Sequence, residues 1–228
     1  MTGIDAIAAL PRNRLLAEFS LWSADLARLQ DDLARTQPYA DLYHLDVADG
    51  RFAPSFLFFP DLAARIRALT TAPLHVHLMT EADILEDQVR QFAAAGADLI
   101  SVHAEVLEKC PGALGLIRAL GCAAGIVLRV QTPVRAAAAW LQGTAFLTLL
   151  GTEIGVKGQS LSAQAPGRLR EARPLADAHG VLLAADGGIR ETTVPGLRAA
   201  GADTVVLGSL AFGAADLAAR IAWLRTLG

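Results

Sequence analysis

The chain has 228 residues, 53% of them hydrophobic and 19% charged, with 20 Lys+Arg against 23 Asp+Glu for a net charge of −3. That composition excludes a disordered chain and supplies no electrostatic pull toward nucleic acid or anionic lipid. No apolar stretch approaches the roughly 20 residues of a membrane span, and Asp5, Arg12, Arg14, Glu18 and Asp25 interrupt any secretory leader. Two cysteines, Cys110 and Cys122, are too few for a disulfide framework, so the expectation is a cytoplasmic protein that engages neither nucleic acid nor membrane.

In chain order, residues 1–14 read as an N-terminal cap or tail. Short apolar runs then alternate with segments of helical spacing. The pattern predicts strand Ala17–Trp22, helix Asp25–Arg35, strand Asp41–Val47, helix Asp61–Leu69, strand Leu74–Leu78, helix Ile84–Ala95, strand Leu99–His103 and helix Leu114–Leu120. It continues with strand Ala123–Leu128, helix Val134–Leu141, strand Ala145–Leu149, helix Ala163–Ala178, strand Val181–Ala185, helix Thr193–Ala200, strand Thr204–Leu207 and helix Ala214–Leu227. Two helix ends share a phrase, Ala94-Ala95-Gly96-Ala97-Asp98 and Ala199-Ala200-Gly201-Ala202-Asp203. In each, glycine ends the helix in a left-handed conformation and a strand follows. Eight such units in 228 residues fit one (β/α)8 TIM barrel spanning residues 1–228. A dinucleotide fold would carry G-x-G-x-x-G after an early strand, and none occurs there.

Catalytic groups on such a barrel come from the C-terminal strand ends. The second strand ends His44-Leu45-Asp46-Val47-Ala48-Asp49-Gly50 and the third His75-Val76-His77-Leu78-Met79. Residues two apart on a strand share a face, so His44 with Asp46, and His75 with His77, point inward together. The seventh strand ends Ala185-Asp186-Gly187-Gly188. Imidazoles and carboxylates converging on one rim make a divalent-metal site of mixed N/O character. One inward His or Asp is ordinarily a hydrogen-bonded core residue, but several at one rim without a function would be costly buried polar groups. Glycines cluster after the late strands: Gly151, Gly155 and Gly158, then Gly187 and Gly188, then Gly208-Ser209. Each alone is turn chemistry; together they suit a phosphate approached by backbone N–H groups.

The segments Ser20-Leu21-Trp22-Ser23-Ala24-Asp25, His44-x-Asp46-Val47-x-Asp49-Gly50-x-Phe52-x-Pro54, Val76-His77-Leu78-Met79, Val102-His103-x-Glu105, Asp186-Gly187-Gly188-Ile189 and Gly208-Ser209 resemble the ribulose-phosphate 3-epimerases, over roughly Phe19 to Gly213. The resemblance implies a cytoplasmic barrel of the ribulose-phosphate-binding type. Such a barrel inverts C3 of a phosphorylated ketose, of the ribulose 5-phosphate/xylulose 5-phosphate type, by two-base proton transfer through an enediolate. It further implies that His44, Asp46, His77 and Asp186 hold one divalent ion (zinc, iron(II), manganese or cobalt) and that Asp46 and Asp186 are the acid/base pair. Ser20 and Met79 would meet the substrate. Gly155, Gly158, Gly187, Gly188, Gly208 and Ser209 would cradle its phosphate. A homo-oligomer is expected. The alternatives are an epimerase of a hexulose or tetrulose phosphate, or a non-catalytic sugar-phosphate-binding barrel.

Departures from the family gather at the pocket. Ala48 and Leu150 replace methionines, Arg129 stands where Asn is common, and His75 where Asp is common. The covering loop reads Glu153-Ile154-Gly155-Val156-Lys157-Gly158-Gln159. On this reading Lys157 adds charge at the phosphate end, while Glu153 and Arg129 read a different sugar end. The apolar run Phe56-Leu57-Phe58-Phe59-Pro60 either packs at the barrel edge or forms a subunit contact.

Overall fold

A computed structural model describes residues 2–227. Its elements run α1 (Gly3–Ala8), β1 (Leu16–Ser20), α2 (Leu29–Thr36), β2 (Leu42–Asp49), β3 (Phe56–Leu57), α3 (Pro60–Arg67), β4 (Leu74–Met79), α4 (Ala82–Ala94), β5 (Leu99–His103), α5 (Ala104–Leu107) and α6 (Ala113–Ala119). There follow β6 (Ala123–Leu128), β7 (Phe146–Leu150), α7 (Ala165–His179), β8 (Leu182–Asp186), α8 (Val194–Ala199), β9 (Thr204–Leu207), α9 (Ser209–Phe212) and α10 (Leu217–Arg225). The sheet order β1-β9-β8-β7-β6-β5-β4-β2, with β1 also pairing β2, closes a ring of eight parallel strands. The expected (β/α)8 barrel is therefore the fold. The two-residue β3 is antiparallel on the end of β2. Among the described residues, no helix is long and apolar enough to cross a membrane.

Element positions follow local chemistry. Strands β5, β6 and β9 occupy the residues their apolar runs predict. The first strand stops at Ser20, because Leu21–Ser23 coil into a 3-10 turn. The first predicted helix starts four residues late, at Leu29: the Asp25 carboxylate accepts from Ala27 N–H at 3.0 Å, and Asp25 N–H donates to Asp32 at 2.8 Å, an alternative to helical bonding. The segment Val134–Trp140 is a 3-10 helix rather than an α-helix, entered directly from Pro133.

Alternation sorts the side chains. Leu15 just before β1, with Ala17 and Phe19 of β1, packs outward against the helices, while Leu16 joins Leu42, Leu99, Phe146 and Leu182 inside the ring's N-terminal end. Helix α1 plugs that end. Thr2 and Asp5 form its capping box, with Thr2 N–H donating to Asp5 at 2.9 Å and Asp5 N–H to Thr2 Oγ1 at 3.2 Å. Ile7, 1% exposed, and Leu10 then join the apolar floor. Gly3 permits this approach, since a Cβ there would lie 2.4 Å from the Asp98 carbonyl oxygen.

One device recurs at the strand starts. Asp41 accepts from Ala17 N–H at 2.9 Å and from Arg14 at 2.6 and 2.7 Å. Asp98 accepts from Leu74 N–H and Arg67, both at 2.9 Å, and Asp203 from Leu183 N–H at 2.9 Å and Arg173 at 2.7 Å. Asp98 and Asp203 each tie a helix arginine to a neighbouring strand, and Asp41 does the same for Arg14 in the loop before β1. The repeated Gly-Ala-Asp phrase serves the same device. Gly96 and Gly201 adopt φ 94° and 108°, where a Cβ would press the stems of Arg67 and Arg173 at 2.6 and 3.0 Å.

Removing the side chain of Ile7 empties part of a packed floor without touching the opposite mouth. Ile7→Ala should lower the unfolding free energy by about 2–4 kcal/mol in urea denaturation. A loss below about 0.5 kcal/mol would show α1 to be a loose tail instead.

Candidate active site

Above the apolar floor the inward positions turn polar. Strand β2 supplies His44 and Asp46, β4 supplies His75 and His77, β5 supplies Ser101 and His103, and β8 ends on Asp186. Ligand atoms of His44, Asp46, His77 and Asp186 all lie within 4.8 Å of one another. His44 Nε2 stands 3.2 Å from Asp46 Oδ1 and 3.9 Å from Asp186 Oδ2, and His77 Nδ1 stands 3.4 and 3.9 Å from the same two oxygens.

The donor set fits a divalent cation. His77 Nδ1 is buried and makes no hydrogen bond, yet it faces two carboxylates. The far ring nitrogens are engaged. His44 Nδ1 is 2.7 Å from Glu18 Oε1, and a carboxylate only accepts, so Nδ1 carries a proton; Nε2, 3.2 Å from Asp46 Oδ1, is the atom that faces the cluster and would give up its own proton to a cation there. His77 Nε2 meets His103 Nε2 at 2.9 Å, and His103 Nδ1 meets Glu105 at 3.2 Å. With His103 donating to Glu105, its Nε2 accepts from His77, which leaves the His77 Nδ1 lone pair free. Glu105 is itself held by Arg129 N–H at 3.1 Å and by the Thr132 hydroxyl.

The two aspartates sit in opposed environments. Burial pushes the Asp46 carboxyl up, but the charges and hydrogen bonds of His44 and His77 outweigh it and hold the group well below the usual carboxylate range. Ser20 Oγ also donates to Asp46 Oδ2 at 2.9 Å. Burial, reinforced by the nearby Asp46 charge, pushes Asp186 up to about 6 despite the opposing pull of His44. Burial lowers the His103 imidazole to about 4. Glu105, which burial alone would raise, is held at about 2, chiefly by His103.

The mouth opens into a cavity of about 380 Å³ whose wall includes Ser20, Asp46, His77, Met79, Gly155, Gly158, Asp186, Gly187, Gly188, Gly208 and Ser209. His44 lies fully buried just beneath. All the sequence-predicted site residues therefore gather at one end of the barrel. Gly187 and Gly188 adopt φ 89° and 70°, and Cβ atoms there would lie 2.2 Å from Thr152 Oγ1 and 2.6 Å from Leu161 Cα. This stretch of wall is consequently bare backbone.

The departures from the family separate into two groups. Lys157 lines the cavity, with its ammonium 4.8 Å from the Trp22 ring centre and donating to the Trp22 carbonyl. Glu153 and Leu150 also line it, and Glu153 accepts from Gln131. Arg129 corrects the expectation: it is absent from the wall, stacks 3.9 Å over the Phe52 ring and donates to the Phe52 carbonyl at 2.9 Å. Its charge braces the loop after β2, outside the cavity wall. Ala48 packs with Ala53 and Met79 beneath Ile154 of the covering loop. In the apolar run, Phe58 turns into the core at φ 25°, whereas Phe56 and Phe59 are 86% and 57% exposed.

Sequence reasoning overlooked Glu18 and took His103 and Glu105 only as parts of a motif. Glu18 could have been found from its place two residues after inward Leu16 and two before Ser20, which marks a charged side chain directed into a barrel.

Comparison with known proteins agrees with this architecture. The profile of the "Ribulose-phosphate 3 epimerase family" matches residues 16–212. Ribulose-phosphate 3-epimerase 1 of Cupriavidus necator is 36% identical over 208 residues, 86% of this chain and 84% of its own. The ribulose-phosphate 3-epimerases of Bacillus subtilis and Escherichia coli K12 are 33% and 36% identical, over 90% and 86% of this chain and 96% and 88% of theirs. The crystal structure of a 3-hexulose-6-phosphate synthase superposes with a TM-score of 0.66 at 20% identity, covering 93% of this chain and 99% of that one. Orotidine 5'-phosphate decarboxylase from Pyrococcus horikoshii OT3 gives 0.66 at 14% identity, over 93% and 98%; at such identities these two speak for the barrel alone. The match to the epimerases runs from the first barrel strand to α9, and the chain belongs to the ribulose-phosphate 3-epimerase family of isomerases.

Proposed function

We propose that this chain inverts C3 of a phosphorylated ketose of the ribulose 5-phosphate type by passing protons between Asp46 and Asp186. The observation that carries this reading is the pair itself. The two carboxylates come from β2 and β8, three steps apart around the ring, with β1 and β9 between. Their environments push them in opposite directions, Asp46 down and Asp186 up to about 6. Pairs of like groups driven apart in this way are suited to acid and base roles in one step.

The hydrogen on C3 is acidified by the adjacent ketone. Ionised Asp46, steadied by the Ser20 hydroxyl, takes that proton from one face and leaves the electron pair shared over the enediolate. Asp186 delivers its own proton to C3 from the other face, which inverts the centre. The reverse reaction exchanges the two roles. His44, Asp46, His77 and Asp186 would hold a divalent cation whose Lewis acidity stabilises the enediolate oxygens by several kcal/mol; the mixed N/O set suits zinc, iron(II), manganese or cobalt. Backbone N–H groups around Gly155, Gly158, Gly187, Gly188, Gly208 and Ser209 receive the phosphate, with Met79 against the carbon chain and Lys157 adding positive charge at the lip.

Three outcomes test this reading. In heavy water, ribulose 5-phosphate should gain deuterium at C3 as it is converted, and Asp46→Asn and Asp186→Asn should each lower kcat by about 10²–10⁴-fold; a sugar-phosphate-binding barrel would show no exchange. Lys157→Met should raise KM for the phosphorylated ketose about tenfold with little change in kcat, as expected when a charged contact binds ground and transition states alike. Protein purified without chelator should carry one divalent ion per chain by elemental analysis, and His77→Ala should lose it.

A further inference from the structure

We propose that Glu18 is a positioning residue for the metal-binding face of His44, and that His75 and Ser101 hold Glu18 in place for that task. The inference rests on the reading that His44 ligates a divalent ion.

Glu18 lies on β1, one inward layer beneath Ser20, and has no solvent exposure. A single oxygen, Oε1, receives both His44 Nδ1 at 2.7 Å and His75 Nδ1 at 2.5 Å, while Oε2 makes no hydrogen bond. Behind His75, its Nε2 meets Ser101 Oγ at 2.6 Å. The direction of each bond to Glu18 follows from its carboxylate, which only accepts. Ser101 donates to His75 Nε2, His75 Nδ1–H donates to Glu18, and His44 Nδ1–H donates to the same oxygen from the other side. The chain ends at His44 Nε2, which faces Asp46 and Asp186 and is the nitrogen that would give up its proton to a cation. Without an acceptor at Nδ1, the proton the ring retains could sit on Nε2 and block the position a cation needs.

Packing is arranged around this chain. His44 and His75 are register partners on β2 and β4, with ring centres 4.8 Å apart and edge to face. Gly125 on β6 makes room for Ser101, since a Cβ there would fall 2.0 Å from Ser101 Oγ. Burying a carboxylate in a barrel core is unfavourable unless it is paired, and apolar side chains of similar size would fill the same layer. A charge retained here is explained by its service to His44.

The test measures zinc affinity by competition with a chromophoric chelator, together with thermal melting of the metal-free protein. Glu18→Leu should bind Zn²⁺ about 10–100-fold more weakly, and the metal-free protein should melt below the wild-type temperature, since removing one partner of a buried network leaves the His44 and His75 Nδ1–H groups without an acceptor. Zinc affinity is therefore the deciding readout: a purely structural role predicts the lowered melting temperature with unchanged zinc affinity, and that result overturns the proposal. Glu18→Gln keeps an acceptor oxygen without the charge and should fall between the two, about 3–10-fold weaker than wild type. Should Glu18→Leu not fold, wild-type affinity in Glu18→Gln overturns the proposal. A wild-type protein that binds no zinc would instead remove the metal reading beneath it, a separate result.

Discussion

The His44 imidazole is bound at both ends by carboxylates from different strands, Glu18 on β1 at 2.7 Å and Asp46 on its own strand at 3.2 Å. Burial lowers the basicity of that ring, but the two anions reverse the effect and hold its pKa well above the ordinary value. The same ring in turn helps hold both Glu18 and Asp46 ionised in a water-excluded interior. Such mutual compensation is what allows charged groups inside a barrel at all, because each alone would carry a desolvation penalty larger than the domain could absorb. The floor made by Ile7, Leu10, Leu16, Leu42 and Phe146 closes the column from below. Water then reaches the charges only from the mouth, and the low local dielectric strengthens every contact above the floor.

Two residues of one type acquire different chemistry because their neighbours differ. Asp46 accepts from Ser20 and lies within 3.4 Å of a nitrogen on each of two imidazoles. Asp186 comes no nearer than 3.9 Å to either imidazole, so burial outweighs the pull of His44 and raises its carboxyl. Strand position sets this difference. His44 is on the same strand as Asp46 and His77 is its register partner on β4, whereas Asp186 faces them from across the ring.

The fold was legible because strand and helix periods are local. Runs such as Leu99–His103 and Thr204–Leu207 name their own limits, and His44-x-Asp46 states which face both side chains take. The N-terminal helix was not legible: its apolar face amounts to Ile7 and Leu10, and only the open floor of a completed barrel tells what they cover. Arg129 was misread for a related reason. Its place at the end of β6 suggested the pocket, but the Phe52 ring, 77 positions earlier in the chain, offered a closer partner. Glu18 showed its direction by alternation, yet its role depends on His44 and His75, 26 and 57 residues away. Pairing across such separations is a property of the closed ring and has no local sequence signal.

Closure therefore does more than hide strand edges. The four candidate ligands come from β2, β4 and β8, and the groups behind them from β1 and β5. The pairing of β1 with β2, which sets Ser20 opposite His44, completes the ring and in the same act brings Glu18 under His44 and Ser20 beside Asp46. An opened seam would leave His44 without its acceptor and Asp46 without its hydroxyl donor. The two imidazole ligands are also backed unequally. His44 rests directly on a carboxylate, whereas His77 reaches Glu105 only through His103. A carboxylate on the far nitrogen raises the basicity of a ligating ring, so with its direct carboxylate the half of the site nearest the β1–β2 seam would hold a cation more firmly than the His77 half.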